Sequence, residues 1–160
     1  MADVKVPENV LASVYGSVPA EWRQHKNGGG WIYKTATVGE SAYLHPTSIV
    51  YGNAWVYGNA QVYGNAWVYG DARVSGDAWE QSPLYIQGSR HALTLCSLTQ
   101  IAVGCHVHDI PEWLKRFRVI GRSEGYTKEQ IAEYGVYLKL LADTAKRLQV
   151  AAKKKVKATV

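Results

Sequence analysis

Between Val50 and Trp79 the sequence reads VYGNAW, VYGNAQ, VYGNAW, VYGDAR, VSGDAW, one six-residue unit written five times. With the valine as position one, the register extends back to Ile32. First positions are then Ile32, Val38, Leu44, Val50, Val56, Val62, Val68 and Val74, all aliphatic. Fifth positions are Ala36, Ala42, Ser48, Ala54, Ala60, Ala66, Ala72 and Ala78, all small. Six residues do not close on the 3.6-residue turn of an α-helix, so no helical face collects them. A meander turning every six residues would have strands too short to pair stably. The pattern predicts a coil of three short strands and three corners, with the aliphatic and small residues pointing inward. Gly52-Asn53, Gly58-Asn59, Gly64-Asn65, Gly70-Asp71 and Gly76-Asp77 supply corners, because Gly and Asn/Asp tolerate unusual backbone angles.

These hexads resemble the hexapeptide-repeat family. The resemblance implies a short left-handed parallel β-helix over residues 32–79, with about 18 residues per coil and coils about 4.8 Å apart. The sequence departs from the family at the second position, where Tyr51, Tyr57, Tyr63 and Tyr69 replace the usual Gly or small polar residue. The family includes acyltransferases, metal-dependent hydratases and scaffolds, so the fold alone selects no activity. Eight hexads leave a small prism open at both ends, which needs caps or partners. Pro7 to Lys26 is expected to cap one end with short helices at Asn9 to Tyr15 and Pro19 to Lys26. Asn27-Gly28-Gly29-Gly30 is expected to be the hinge into the first strand.

Outward residues should stack in columns 18 apart. One face then carries Trp31, Tyr33, Ile49, Tyr51, Trp67 and Tyr69. A second carries Thr37, Gly39, Trp55, Tyr57, Arg73 and Ser75, and a third Tyr43, His45, Gln61, Tyr63, Trp79 and Gln81. The first face is too apolar to stay bare on a soluble monomer. The aromatic count, 11 Tyr and 6 Trp against a single Phe, also suggests rings placed at surfaces and interfaces. Self-association, as a trimer, is the favoured expectation. Covering by the chain's own C-terminal region and a ligand-stacking platform are the alternatives.

After Trp79 the hexads stop. Ser82 to Cys96 reads as strand, Gly-Ser turn and strand, and Ile101 to His108 as a third strand, together a small antiparallel meander. Asp109 and Glu112 form a capping-box pattern opening a helix around Trp113 and Phe117, broken by Gly121 and Gly125. Thr127 and Gln130 open a second helix with an apolar stripe of Ile131, Tyr134, Leu138, Leu141, Ala145 and Leu148. The fold class expected is therefore mainly β with C-terminal α. It comprises an N-terminal cap and Gly hinge (1–31), the β-helix (32–79), an α+β domain (80–150) with the meander and two helices, and a basic tail (151–160). The segments PLYIQGSRHALT, GCHVH and IGRSEGYTKEQIAEYGVYL resemble an uncharacterised domain of bacteriophage and prophage proteins that often follows YGNA repeats. That resemblance implies a phage or mobile-element setting and carries no catalytic residues.

From Pro111 to Val160 Lys and Arg outnumber Asp and Glu twelve to five, which could attract nucleic acid or another polyanion. The densest cluster, Lys153-Lys154-Lys155-Val156-Lys157, reads first as a solvated, frayed tail. No apolar run approaches the ~18 residues of a membrane span, and no secretory leader is visible. Cys96 and Cys105 make no disulfide framework. A host-cell cytoplasmic location with no membrane partner is the expectation. For ligand binding, Arg90 and His91 after the Gly-Ser turn, with His108 and Trp113, offer guanidinium, imidazole and ring to a nucleotide-like anion. The alternative is that Arg90 stacks on an aromatic and His91 braces the turn. A zinc site through His91, His106 and His108 is a further alternative, and no cofactor is expected. Together these features point to a non-enzymatic, oligomeric, counter-defence binding protein. It would sequester a nucleotide-like ligand or block a host defence complex. The rival classes are a hexapeptide-type enzyme and a virion component.

Overall fold

Backbone pairing follows the hexads. The computed structural model describes residues 5–76, 78–79 and 81–158, and the chain divides into two compact units, Met1–Pro83 and Leu84–Val160. In the first unit α1 (Glu8–Ala12) and a 3-10 turn (Pro19–Glu21) lead into β1 (Trp22–Gln24). The repeat then supplies β2 (Trp31–Tyr33), β3 (Thr37–Val38), β4 (Tyr43–Leu44), β5 (Ile49–Val50), β6 (Trp55–Tyr57), β7 (Gln61–Val62), β8 (Trp67–Val68), β9 (Arg73–Ser75) and β10 (Ala78–Trp79). They form three parallel ladders, β2-β5-β8, β3-β6-β9 and β4-β7-β10. Trp31 aligns with Ile49 and Trp67, Thr37 with Trp55 and Arg73, and Tyr43 with Gln61, each step eighteen residues along the chain.

Inside, the first-position aliphatics from Leu44 to Val74 are fully buried, and the small fifth-position residues from Ala36 to Ala72 fill the space between them. Val38 alone among the first positions is half-buried. Ser48 is tolerated inside because its hydroxyl donates to His45 O at 2.8 Å. The corners come in two chemistries. Where the third position is Gly, the backbone takes a left-handed turn, with Gly52 at φ +68° and its site for a Cβ only 2.8 Å from Gly70 N. The first coil has Lys34, Glu40 and Pro46 there instead. Its fourth-position hydroxyls fasten the corner below: Thr35 Oγ1 donates to Gly52 O, Ser41 Oγ to Gly58 O at 2.7 Å and Thr47 Oγ1 to Gly64 O at 2.7 Å.

The open end at the first coil is closed by the preceding segment. The expected helix at Pro19 to Lys26 is only the 3-10 turn, after which β1 pairs antiparallel with β2. Asn27-Gly30 is a cap rather than a free hinge. Leu44 N donates to Asn27 O and Gly30 N to Leu44 O, both at 3.0 Å, which satisfies the free edge of β4. The buried His25 ring and the Asn27 amide both meet Ala42 O, at 2.9 and 3.0 Å.

At the last rung the register changes. Trp79 pairs with Val62, seventeen residues back, and Ala78 with Gln61. Strict continuation would have put Glu80, a charge, at the next inward position. Trp79 takes that slot and is buried, instead of lying on the third outward face as expected from the hexads. Its indole N–H has no hydrogen-bond partner among the described residues.

The second unit is an antiparallel meander in sequential order: β11 (Tyr85–Gln87), β12 (Ala92–Leu95), β13 (Gln100–Val103) and β14 (His106–Asp109). The single strand expected over 101–108 is thus a hairpin, because Gly104 turns it with φ +55°. Two helices follow, α2 (Ile110–Ser123) and α3 (Lys128–Ala158). Asp109 does not cap α2 through its side chain. Its carboxylate accepts from Gln100 Nε2 at 3.1 Å, and Glu112 is taken by Arg116 at 2.8 Å. Gly121 does not break α2; it lets Ile131 of α3 approach to within 2.9 Å of where a Cβ would stand. At α3 the capping box forms: Thr127 N donates to Gln130 Oε1 at 3.0 Å and Gln130 N to Thr127 Oγ1 at 3.2 Å. The stripe Tyr134, Leu138, Leu141 and Ala145 is buried, with α3 packed on β12. The helix continues through the basic segment to Ala158, so residues 151–158 are not an irregular tail.

Candidate functional site

A mostly apolar cavity of about 250 Å3 lies between the meander and the helical hairpin of the second unit. α2 contributes Trp113, Phe117 and Ile120, spaced three and four apart so that they share one face. Val103 lines it from β13, and Ile131 and Leu138 from α3. The polar groups at its border include His91, His106, Glu124, Tyr126 and Tyr134. Trp113 is held rigidly, with its indole N–H donating to Ile101 O at 2.8 Å. His106 Nε2 lies 3.4 Å from Glu124 Oε1, both side chains partly exposed. Burial, reinforced by the neighbouring Tyr134 hydroxyl, pushes the Tyr126 phenol up to about 12.

Of the four expected ligand residues, the structure brings His91 and Trp113 to this cavity. His108 sits outside it, edge-on to Trp113 at 5.0 Å between centroids and 3.5 Å from Glu112 Oε2. Arg90 is spent within the chain. Its Nη1 donates to Gly125 O at 2.8 Å and its guanidinium lies 4.8 Å from the Tyr126 ring centre. The turn before it is fastened by α3. The Tyr134 hydroxyl accepts from Arg90 N at 3.0 Å and His91 N at 2.5 Å and donates to His91 O at 2.6 Å. Glu133 accepts from Ser89 N and Ser89 Oγ at 2.9 and 2.5 Å, and those bonds hold its carboxyl below the usual range. Gly88 is required there for space, since a Cβ would stand 2.5 Å from the Tyr134 hydroxyl.

The three-histidine alternative does not assemble. The His106 and His108 rings lie parallel with centroids 6.3 Å apart, while His91 packs toward Tyr126. Among the described residues no three His, Cys, Asp or Glu side chains converge on one point.

No family model, curated protein or solved structure matches this chain.

The apolar face of the first unit is largely covered from within. Trp31 and Ile49 are buried in a cluster with Val6, Val10 and Trp22, and Leu11, Val14, Tyr33 and Tyr51 pack against it. The N-terminal segment, expected at an end of the prism and not on this face, therefore buries Trp31 and Ile49 and leaves Tyr33 and Tyr51 half-buried. Trp67 and Tyr69 stay 37% and 41% exposed. Tyr51 stacks on Tyr69 at 5.5 Å and meets Trp67 edge-on at 6.1 Å, so the remaining patch is pre-ordered. Among the described residues no helix is long and apolar enough to cross a membrane.

Sequence reading missed Phe117, Ile120, Glu124, Tyr126 and Ile131 as cavity residues. Their spacing was visible, but an apolar helical stripe carries the same signal whether it meets a partner or borders a hollow.

Proposed function

We propose that this is a non-enzymatic binding protein of phage or mobile-element type, acting against host defence by sequestering a nucleotide-like small molecule in the second unit. The observation that carries it is the cavity of about 250 Å3 walled by Trp113 and Phe117 and edged by His91, His106 and Glu124. It is slightly below the ~300–1,000 Å3 of ordinary small-molecule pockets, which suits one ring system. Flat apolar walls take a ring face, and an imidazole with a carboxylate at the rim can donate to and accept from its polar edge.

In this reading the first unit is a hexapeptide-type left-handed β-helix and the assembly platform. Its support is the eighteen-residue parallel register over three sheets. A trimer forming through the patch of Tyr51, Trp67 and Tyr69 is part of the same proposal.

Calorimetric titration of the protein with cyclic and linear nucleotides tests the reading, with native mass spectrometry giving subunit count and any co-purified ligand. The expected result is a saturable heat with at least one nucleotide, abolished by Ile120→Trp, which fills the cavity. A flat trace across the panel from folded protein would leave blocking of a host protein complex as the better account. A monomeric mass would remove the trimer.

A further inference from the structure

Three cations meet beside the apolar cavity, around Tyr126 and Ile131. Arg118 and Arg122 of α2 and Lys128 at the start of α3 line a surface depression of about 390 Å3, together with Tyr126 and Ile131. The last two also border the apolar cavity. The arrangement opposes folding on two counts. Arg118 and Arg122 are like charges at i and i+4, which destabilises a helix. Lys128 stands at the positive end of the α3 dipole. No carboxylate forms an ion pair with any of the three among the described residues. The acidic residues nearest in sequence are turned elsewhere: Glu124 to His106, and Glu129 to Thr127 and its own backbone. Arg122 uses only its Nε, donating to Arg118 O at 3.1 Å, and Arg118 lies 5.1 Å from the Phe117 ring centre. Positive charge gathered against local preference and left without a counter-charge marks a place where function has overridden stability.

We infer that Arg118, Arg122 and Lys128 bind the phosphoryl groups of a small phosphate-bearing ligand. Two guanidinium forks can each grip two phosphate oxygens, and the lysine adds a point charge. The site rests on the proposed function only in the claim that the ring of the same ligand enters the neighbouring cavity. It also reassigns the anion contact, from Arg90, which is occupied, to a cluster 28 to 38 residues further along the chain.

The test is calorimetric titration of the full chain with pyrophosphate, adenosine, ADP and a twenty-nucleotide single strand. It is run on the parent, on Arg118→Gln, Arg122→Gln and the double variant, with circular dichroism confirming the fold. Pyrophosphate and ADP should bind the parent. Each single variant should weaken both by about tenfold and the double variant by about a hundredfold. Adenosine should be unaffected, and added salt should weaken only the phosphorylated probes. Absence of pyrophosphate binding, with ADP bound equally by parent and double variant, overturns the anion site while leaving the cavity reading intact. Pyrophosphate bound and then lost in the double variant, with no nucleoside bound, keeps the anion site and overturns the cavity reading. Binding of the single strand more tightly than ADP overturns the assignment to a small ligand.

Discussion

The Tyr134 hydroxyl completes three hydrogen bonds with the backbone of residues 90 and 91, which is more than Arg90 itself contributes to the same turn. Tyr134→Phe leaves two N–H groups and a carbonyl without that partner, and should cost about 1–3 kcal/mol in urea unfolding. Arg90→Ala, at an exposed site, removes one hydrogen bond and one ring contact and should cost about 1 kcal/mol. Equal losses would show that the hydroxyl is not the fastening point. Glu133 gives the turn a pH dependence. Its pKa in the folded chain lies below the ordinary 4.5 because Ser89 donates to the carboxylate twice, through hydroxyl and amide. A depressed carboxyl stabilises the folded state above its unfolded pKa, and that contribution fades as pH falls through the folded value. The melting difference between parent and Glu133→Gln should therefore be largest near neutrality and vanish in acid. A difference constant from pH 7 to pH 3 would contradict it.

At the scale of elements, what repeats was legible and what answers the repeat was not. The inward and outward assignment of Ile32 to Val74 could be read because alternation and corner chemistry are local properties. The cover over Trp31 and Ile49 could not, because residues 5–24 have no period and their docking depends on shape. The seventeen-residue step at Trp79 did leave a trace, a glutamate at the next inward position. In the second unit the helices and the Thr127 cap were readable. The hairpin at Gly104 was read as continuous strand because a lone glycine is also tolerated within strands. Arg90 was open to two readings, ligand contact or stacking on an aromatic, because a turn arginine looks the same in sequence whether it faces water or a neighbour; the structure has the stacking, on Tyr126. Two buried tryptophans separate packing from hydrogen bonding. Among the described residues Trp79 has an idle N–H, whereas Trp113 donates to Ile101 O. Trp113→Phe should cost about 1 kcal/mol more than Trp79→Phe, since it alone removes a hydrogen bond. Matched losses in denaturant titrations would show that the two indoles are equivalent.

For the whole molecule, the first unit is held by contacts between successive coils, and each strand pairs with the strand one coil away. The second unit is held by adjacent hairpins and a helix pair. Up to β9 the step between coils is eighteen residues, which makes that stretch a ruler with a fixed gauge. Duplicating Val50 to Trp67 adds one full circuit, returns the chain to the same sheet, and leaves the Asn27-Gly30 cap and the Trp79 rung with the partners they have now. Such a lengthened chain should fold and melt higher than its parent. Inserting a single VYGNAW hexad advances everything downstream by one ladder. Trp79 would then close a different ladder. That variant should lose solubility or melt lower. Chain length in this architecture is therefore free to change in units of eighteen and resisted in units of six, so the first unit can lengthen while the ladder on which it ends stays the same.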